Sequence, residues 1–165
     1  MSYWKSSFLK SLEPDFEEET DFEFAPPATI DDFANLERHI AAKIPEDVRS
    51  LLSEFNGIKR ISGNDREPYF FSTQEMPAAA EIYRKWDQPT KLLMDCSRDI
   101  LFVCQVNGFS EMWGVAVRPF GSFEYGQIVA FDHDMIGNAE QPDELFASPY
   151  FRLIDLVETN WKEVS

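Results

Sequence analysis

A near-continuous apolar run, Ile100-Leu101-Phe102-Val103-Cys104-Gln105-Val106, leaves this chain little choice but to build a sheet. Short runs of this kind, rich in β-branched and aromatic residues and bounded by turn residues, form strands. The turn Asn107-Gly108-Phe109-Ser110 follows, and then Glu111-Met112-Trp113-Gly114-Val115-Ala116-Val117, which together make a hairpin signature. A second turn, Pro119 to Gly126, leads into Gln127-Ile128-Val129-Ala130-Phe131-Asp132. Three sequential antiparallel strands, a meander, is the economical arrangement. Upstream, Glu67-Pro68-Tyr69-Phe70-Phe71-Ser72 reads as a short edge strand, and Leu92 to Asp95 as a little more extended structure. The strands are therefore expected at about 69–72, 100–106, 111–118 and 127–132.

Helices precede this sheet. Thr29 suits a helix N-cap, with Asp31 and Asp32 in the first turn where carboxylates are favoured. Ile30, Phe33, Leu36 and Ile40 then recur at helical spacing. Pro45 suits the start of a second helix, in which Val48, Leu51, Leu52 and Phe55 share a face. Asn56-Gly57 ends it, because glycine readily takes the left-handed conformation that closes helices. A further helix is expected from Met76 to Trp86, and a helical tail around Asp143–Phe146 and Phe151–Val157, broken by Pro149. The fold class is α+β: an N-terminal helix pair packed on a mostly antiparallel sheet, with a C-terminal helix.

Residues 1–28 have a different character and are read as an acidic, aromatic N-terminal arm, leaving 29–165 as a single domain. Trp4, Phe8 and Leu12 lie four apart, and Glu13 to Phe24 mixes carboxylates with phenylalanines before Pro26-Pro27 closes the segment. A solvated arm whose aromatics tuck onto the domain is one reading; a recognition strand for a basic partner is the other.

Charge narrows the partners. Thirty acidic residues against fifteen basic ones give a formal net charge of −15. That field repels phosphate backbones and anionic lipid surfaces, so no nucleic acid and no membrane is expected. It speeds encounter with a basic protein such as a nuclease. Cys96 and Cys104, the only cysteines, lack metal-ligand spacing and read as core fillers in a reducing compartment. No signal-peptide pattern opens the chain and no apolar run reaches the roughly 20 residues of a membrane helix. Cytoplasmic residence is the expectation.

Catalytic parts are scarce. Only His39 and His133 are present. Asp132-His133-Asp134 could hold a divalent metal or tune a base. Neighbours along a strand face opposite ways, however, so the three do not converge. Gly121-Ser122-Phe123 lacks the strand–turn–helix setting of a serine nucleophile, and no glycine-rich phosphate loop is present. No catalytic residue, cofactor or metal site is assigned. A small metal-dependent hydrolase remains the least favoured alternative.

The order Leu36-Glu37, Ile44-Pro45-Glu46-Asp47 and Phe55-Asn56-Gly57, followed by Trp113-Gly114-Val115-Ala116, Val129-Ala130-Phe131-Asp132-His133-Asp134 and Leu145-Phe146, resembles the SUKH superfamily, also called the Smi/Knr family. The likeness spans roughly residues 29–157. The chain departs from it in carrying Gly57-Ile58 where many members have a glycine pair, and the arm lies outside the pattern. The resemblance implies a helix pair on a mixed or antiparallel sheet without an enzymatic centre. It also implies an immunity protein that neutralises a cognate polymorphic toxin, often a nuclease; regulatory scaffolds, like the eukaryotic relatives, are the alternative. The expected partner-binding residues are the acidic Glu17, Glu18, Glu19, Asp132 and Asp134 and the aromatic Tyr69, Phe109 and Tyr125. Apolar anchors would supply affinity, and charge would supply speed and specificity. Trp86 and Phe123 are further candidate anchors if they are exposed.

Overall fold

Strand-forming runs joined by short turns pair with their sequence neighbours, and the whole sheet follows that rule. The computed structural model describes residues 3–12, 21–84, 91–106, 111–132, 139–148 and 152–158. Its elements are α1 (Tyr3–Leu12), β1 (Asp21–Phe24), α2 (Ile30–Ile40), α3 (Glu46–Leu52), β2 (Ile58–Ser62), β3 (Asp65–Phe70) and α4 (Met76–Arg84). They continue with α5 (Lys91–Cys96), β4 (Ile100–Val106), β5 (Glu111–Ala116), β6 (Ile128–Asp132), α6 (Pro142–Leu145), β7 (Phe146–Ala147) and α7 (Leu153–Glu158). All seven strands form one antiparallel sheet in the order β1 to β7. The class is α+β.

The central meander β4–β5–β6 is paired along its length, from Ile100 opposite Ala116 to Glu111 opposite Asp132. Its described side chains are almost wholly buried, with Val103, Cys104, Met112, Trp113, Ile128 and Val129 among the least exposed residues. α4 packs against β4. Leu36, Val48, Leu51 and Leu52 of α2 and α3 join the same continuous core.

Thr29 caps α2 as its sequence requires. Its hydroxyl accepts from the Asp32 N–H at 3.2 Å, while the Asp32 carboxylate accepts from the Thr29 N–H at 2.8 Å. This reciprocal box satisfies donors that a helix start otherwise leaves open, a contribution of about 1 kcal/mol. α2 ends on Ala41, whose φ of 50° is left-handed despite its Cβ. That conformation costs about 1–2 kcal/mol. The Arg118 guanidinium offsets the cost by donating to the Ile40 and Ala41 carbonyls, both at 2.7 Å.

Three expectations are corrected. Residues 69–72 do not form an edge strand: β3 runs from Asp65 to Phe70 and lies between β2 and β4. Proline, which has no N–H to give the ladder, is tolerated there because β3 meets β4 through one residue pair only, Phe70 with Cys104. Leu92 to Asp95 is helical, within α5, with Leu93 and Cys96 buried three apart. The tail is helical at Asp143–Leu145, within α6, and again in α7, but Phe146 leaves α6 in extended conformation and pairs with Phe131 of β6.

The described parts of segment 1–28 are built into the domain. β1 pairs with β2 along its full length, and α1 packs on α7. Trp4 is 4% exposed, and its indole Nε1 donates to Ser50 Oγ at 2.9 Å. The Glu54 carboxylate accepts from the Trp4 and Lys5 N–H groups, placing a negative charge at the start of α1 where the helix dipole favours it. Phe8 meets Phe22, Phe24 and Tyr69 edge-on, with ring centroids 5.6–5.9 Å apart.

Candidate binding surface

The residues that carry the family resemblance hold the scaffold together. Leu36 is buried, and its neighbour Glu37 closes the α2–α3 connection by accepting from Arg49 Nη2 at 2.6 Å, Lys43 Nζ at 3.1 Å and the Ile44 N–H at 3.3 Å. Burial alone would raise the Glu37 carboxyl, but these three donors hold it below its usual range. Asn56 bonds Thr73 twice, accepting from its N–H at 2.8 Å and donating to its Oγ1 at 3.1 Å. Gly57 has φ 105°, and a Cβ there would stand 3.0 Å from the Ser72 nitrogen. Gly114 lies so close to β4 that a Cβ would overlap the γ-methyl of Ile100. These positions shape the fold.

The aromatic candidates divide. Tyr69 is half-buried among Phe8 and Phe22, and burial pushes its phenol well above the ordinary value. It packs the arm segment onto the sheet. Phe123 is 6% exposed and packs against Phe120 and Phe146. Tyr125, by contrast, is 49% exposed, and its hydroxyl stands 3.5 Å from the Lys43 carbonyl at the α2–α3 turn. The loop that carries it also bears exposed Glu124 and is tied to α6 through Ser122, whose N–H and hydroxyl both donate to Asp143. Asp132 ends β6 directly opposite Glu111 of β5, so the register sets two acidic positions side by side at one end of the sheet. Glu17, Glu18, Glu19, Asp134, Phe109 and Trp86 lie outside the described residues.

Two clefts of about 450 Å³ open on the described surface. One runs beside Pro26 and Pro27, with Asn56, Gly57 and Gln74 on its other wall. Asp32 lines it too; the Thr29 N–H and hydroxyl hold its carboxyl below the ordinary value against the opposing effect of burial, with a lesser contribution from Gln74. The other cleft lies between the end of α2 and the start of β4, lined by His39, Arg98 and Arg118 over Met76, Ile100 and Leu101. Neither cleft could be read from the sequence, because each is assembled from segments far apart in the chain. Arg118, for example, reaches Ile40 across 78 positions.

Nucleophile chemistry finds little support at the cysteines. Both are buried; burial raises the Cys96 thiol to about 11, helped by Asp99 and Asp95, and raises Cys104 well above its ordinary value. Burial of this kind disfavours the thiolate, the form in which a cysteine attacks or binds a metal. Among the described residues, no three histidines, cysteines or carboxylates gather as a metal site, and no helix is long and apolar enough to cross a membrane.

No curated protein matches the chain significantly. The model of the SMI1 / KNR4 family (SUKH-1) matches residues 27–149, starting at Pro27 and covering the helix pair and the strands from β2 to β7. With that match over most of its length, and with the motif residues holding the scaffold as described, the chain belongs to the SMI1 / KNR4 family.

Proposed function

We propose that the chain is a non-enzymatic protein-binding module of the immunity type, which docks on a basic toxin domain and neutralises it. The observation that carries this reading is the acidic excess of a chain in this family: thirty carboxylates against fifteen basic groups. Long-range attraction of that size accelerates encounter with a basic catalytic domain such as a nuclease and disfavours nucleic acid or anionic lipid as partner. Tyr125 beside Glu124 supports the same reading, since an exposed ring among carboxylates can supply an apolar anchor within a charged rim. Two free, buried cysteines suit a reducing cytoplasm as the place of action.

Capture from the native cell with the tagged full-length chain, followed by salt titration of whatever is retained, tests the proposal. One basic protein is expected, with affinity falling steeply as salt rises. Its toxicity on expression should vanish when this chain is supplied in equal amount. Undiminished toxicity, or binding indifferent to salt, would sink the reading.

A further inference from the structure

The described arginine side chains of this acidic molecule are almost all engaged. Arg49, Arg60, Arg66, Arg118 and Arg152 face carboxylates, and Arg38 donates to Asn35. Arg98 is the exception among the described arginine side chains: it is exposed and makes no hydrogen bond or ion pair through its guanidinium. His39 is likewise exposed without a side-chain partner. Both line the same 450 Å³ cleft. A space of that size falls within the range of small-molecule sites, about 300–1,000 Å³.

The cleft is held in shape by its second guanidinium. Arg118 donates to the Arg98 carbonyl at 2.8 Å and to the Ile40 and Ala41 carbonyls, joining the end of α2 to the turn before β4. Asp99 stands 3.6 Å from Arg118, so that carboxylate is already answered. What remains is a solvent-exposed guanidinium without a protein partner and an imidazole, above an apolar floor of Met76, Ile100 and Leu101, with Glu81 on the lining. A guanidinium fork matches the geometry of a carboxylate or phosphate oxygen pair. We propose that this cleft binds a small organic anion, its charged group on Arg98 and His39 and its apolar body on the floor. The proposal goes beyond toxin neutralisation and does not rest on it.

Titration of the full-length protein with indole-3-acetate, followed by amide NMR, tests it. Indole-3-acetamide supplies the same body without charge, and acetate supplies the charge without the body. Saturable shifts confined to the amides of Ser97, Arg98, Ile100 and Leu101 are expected with indole-3-acetate, and binding at least about tenfold weaker with either control. Arg98→Gln should lower the affinity by about tenfold or more and His39→Gln by less, with the rest of the spectrum unchanged because both side chains are exposed. Equal binding of the amide, unchanged affinity in Arg98→Gln, or absence of shifts at these amides would overturn the proposal.

Discussion

Arg49 Nη2 stands 2.6 Å from Glu37 Oε1, and the same carboxylate takes the Ile44 N–H and Lys43 Nζ. One side chain thus fixes the angle between α2 and α3. Glu37→Gln keeps the shape and removes the charge, so it should cost about 1–3 kcal/mol in urea unfolding. The pH dependence has a defined sign. Glu37 has a lowered pKa in the folded state, so its contribution is present above about pH 4.3, its unfolded value, and is lost as pH falls through the folded value. The wild type should lose stability on acidification through that window, and Glu37→Gln should lose less.

Gly57→Ala tests the other end of the helix pair. At φ 105° any side chain is strained, and the new methyl would meet the Ser72 nitrogen and the Phe70 carbonyl oxygen at 3.0 and 3.2 Å. Backbone strain of this kind costs about 1–3 kcal/mol. Thermal unfolding should report a lower midpoint. Asn56→Ala should also destabilise, because it leaves the Thr73 N–H without its acceptor.

Local patterns were legible and distant ones were not. The Thr29–Asp32 cap and the β4–β5–β6 meander rest on neighbours in sequence, where residue type alone carries the signal. β2 was missed because Ile58-Lys59-Arg60-Ile61-Ser62 neither alternates nor runs apolar. β1 does alternate, with Asp21 and Glu23 outward and Phe22 and Phe24 half-buried, yet the surrounding carboxylates disguised it as part of an arm. At the candidate surface, composition pointed to Tyr125 as an anchor if exposed, but not to its contact with Lys43, 82 positions away. It also made Tyr69 look like an available anchor, because nothing local shows that Phe8 and Phe22 cover it.

Trp4 should prove a stability residue despite lying ahead of the family match. It is buried, its indole donates to Ser50, and its backbone N–H is capped by Glu54. Trp4→Ala should cost about 3–5 kcal/mol, the usual range for emptying a buried indole site. Glu54→Gln should cost less, since it retains an acceptor for α1 and loses only the charge at the helix start. Urea unfolding of the two variants against the wild type measures both. Equal stability of Trp4→Ala and wild type would mean that α1 contributes nothing to the folded domain.

Substitution of Tyr125 tests the proposed recognition apart from folding. Its ring is half exposed, and its hydroxyl has only the 3.5 Å approach to the Lys43 carbonyl, so Tyr125→Ala should leave the unfolding midpoint within about 0.5 kcal/mol of wild type. Against the captured basic partner, the same substitution should cost about 2 kcal/mol or more and act chiefly on dissociation, as loss of an aromatic anchor does. Glu124→Gln should act differently, slowing association at low salt and converging on wild type at high salt, because rim charge works through long-range attraction that ions screen. Surface kinetics at two ionic strengths distinguish the two behaviours. If Tyr125→Ala binds as tightly as wild type while Glu124→Gln alone changes the on-rate, the anchor lies on another face and this loop serves only to steer.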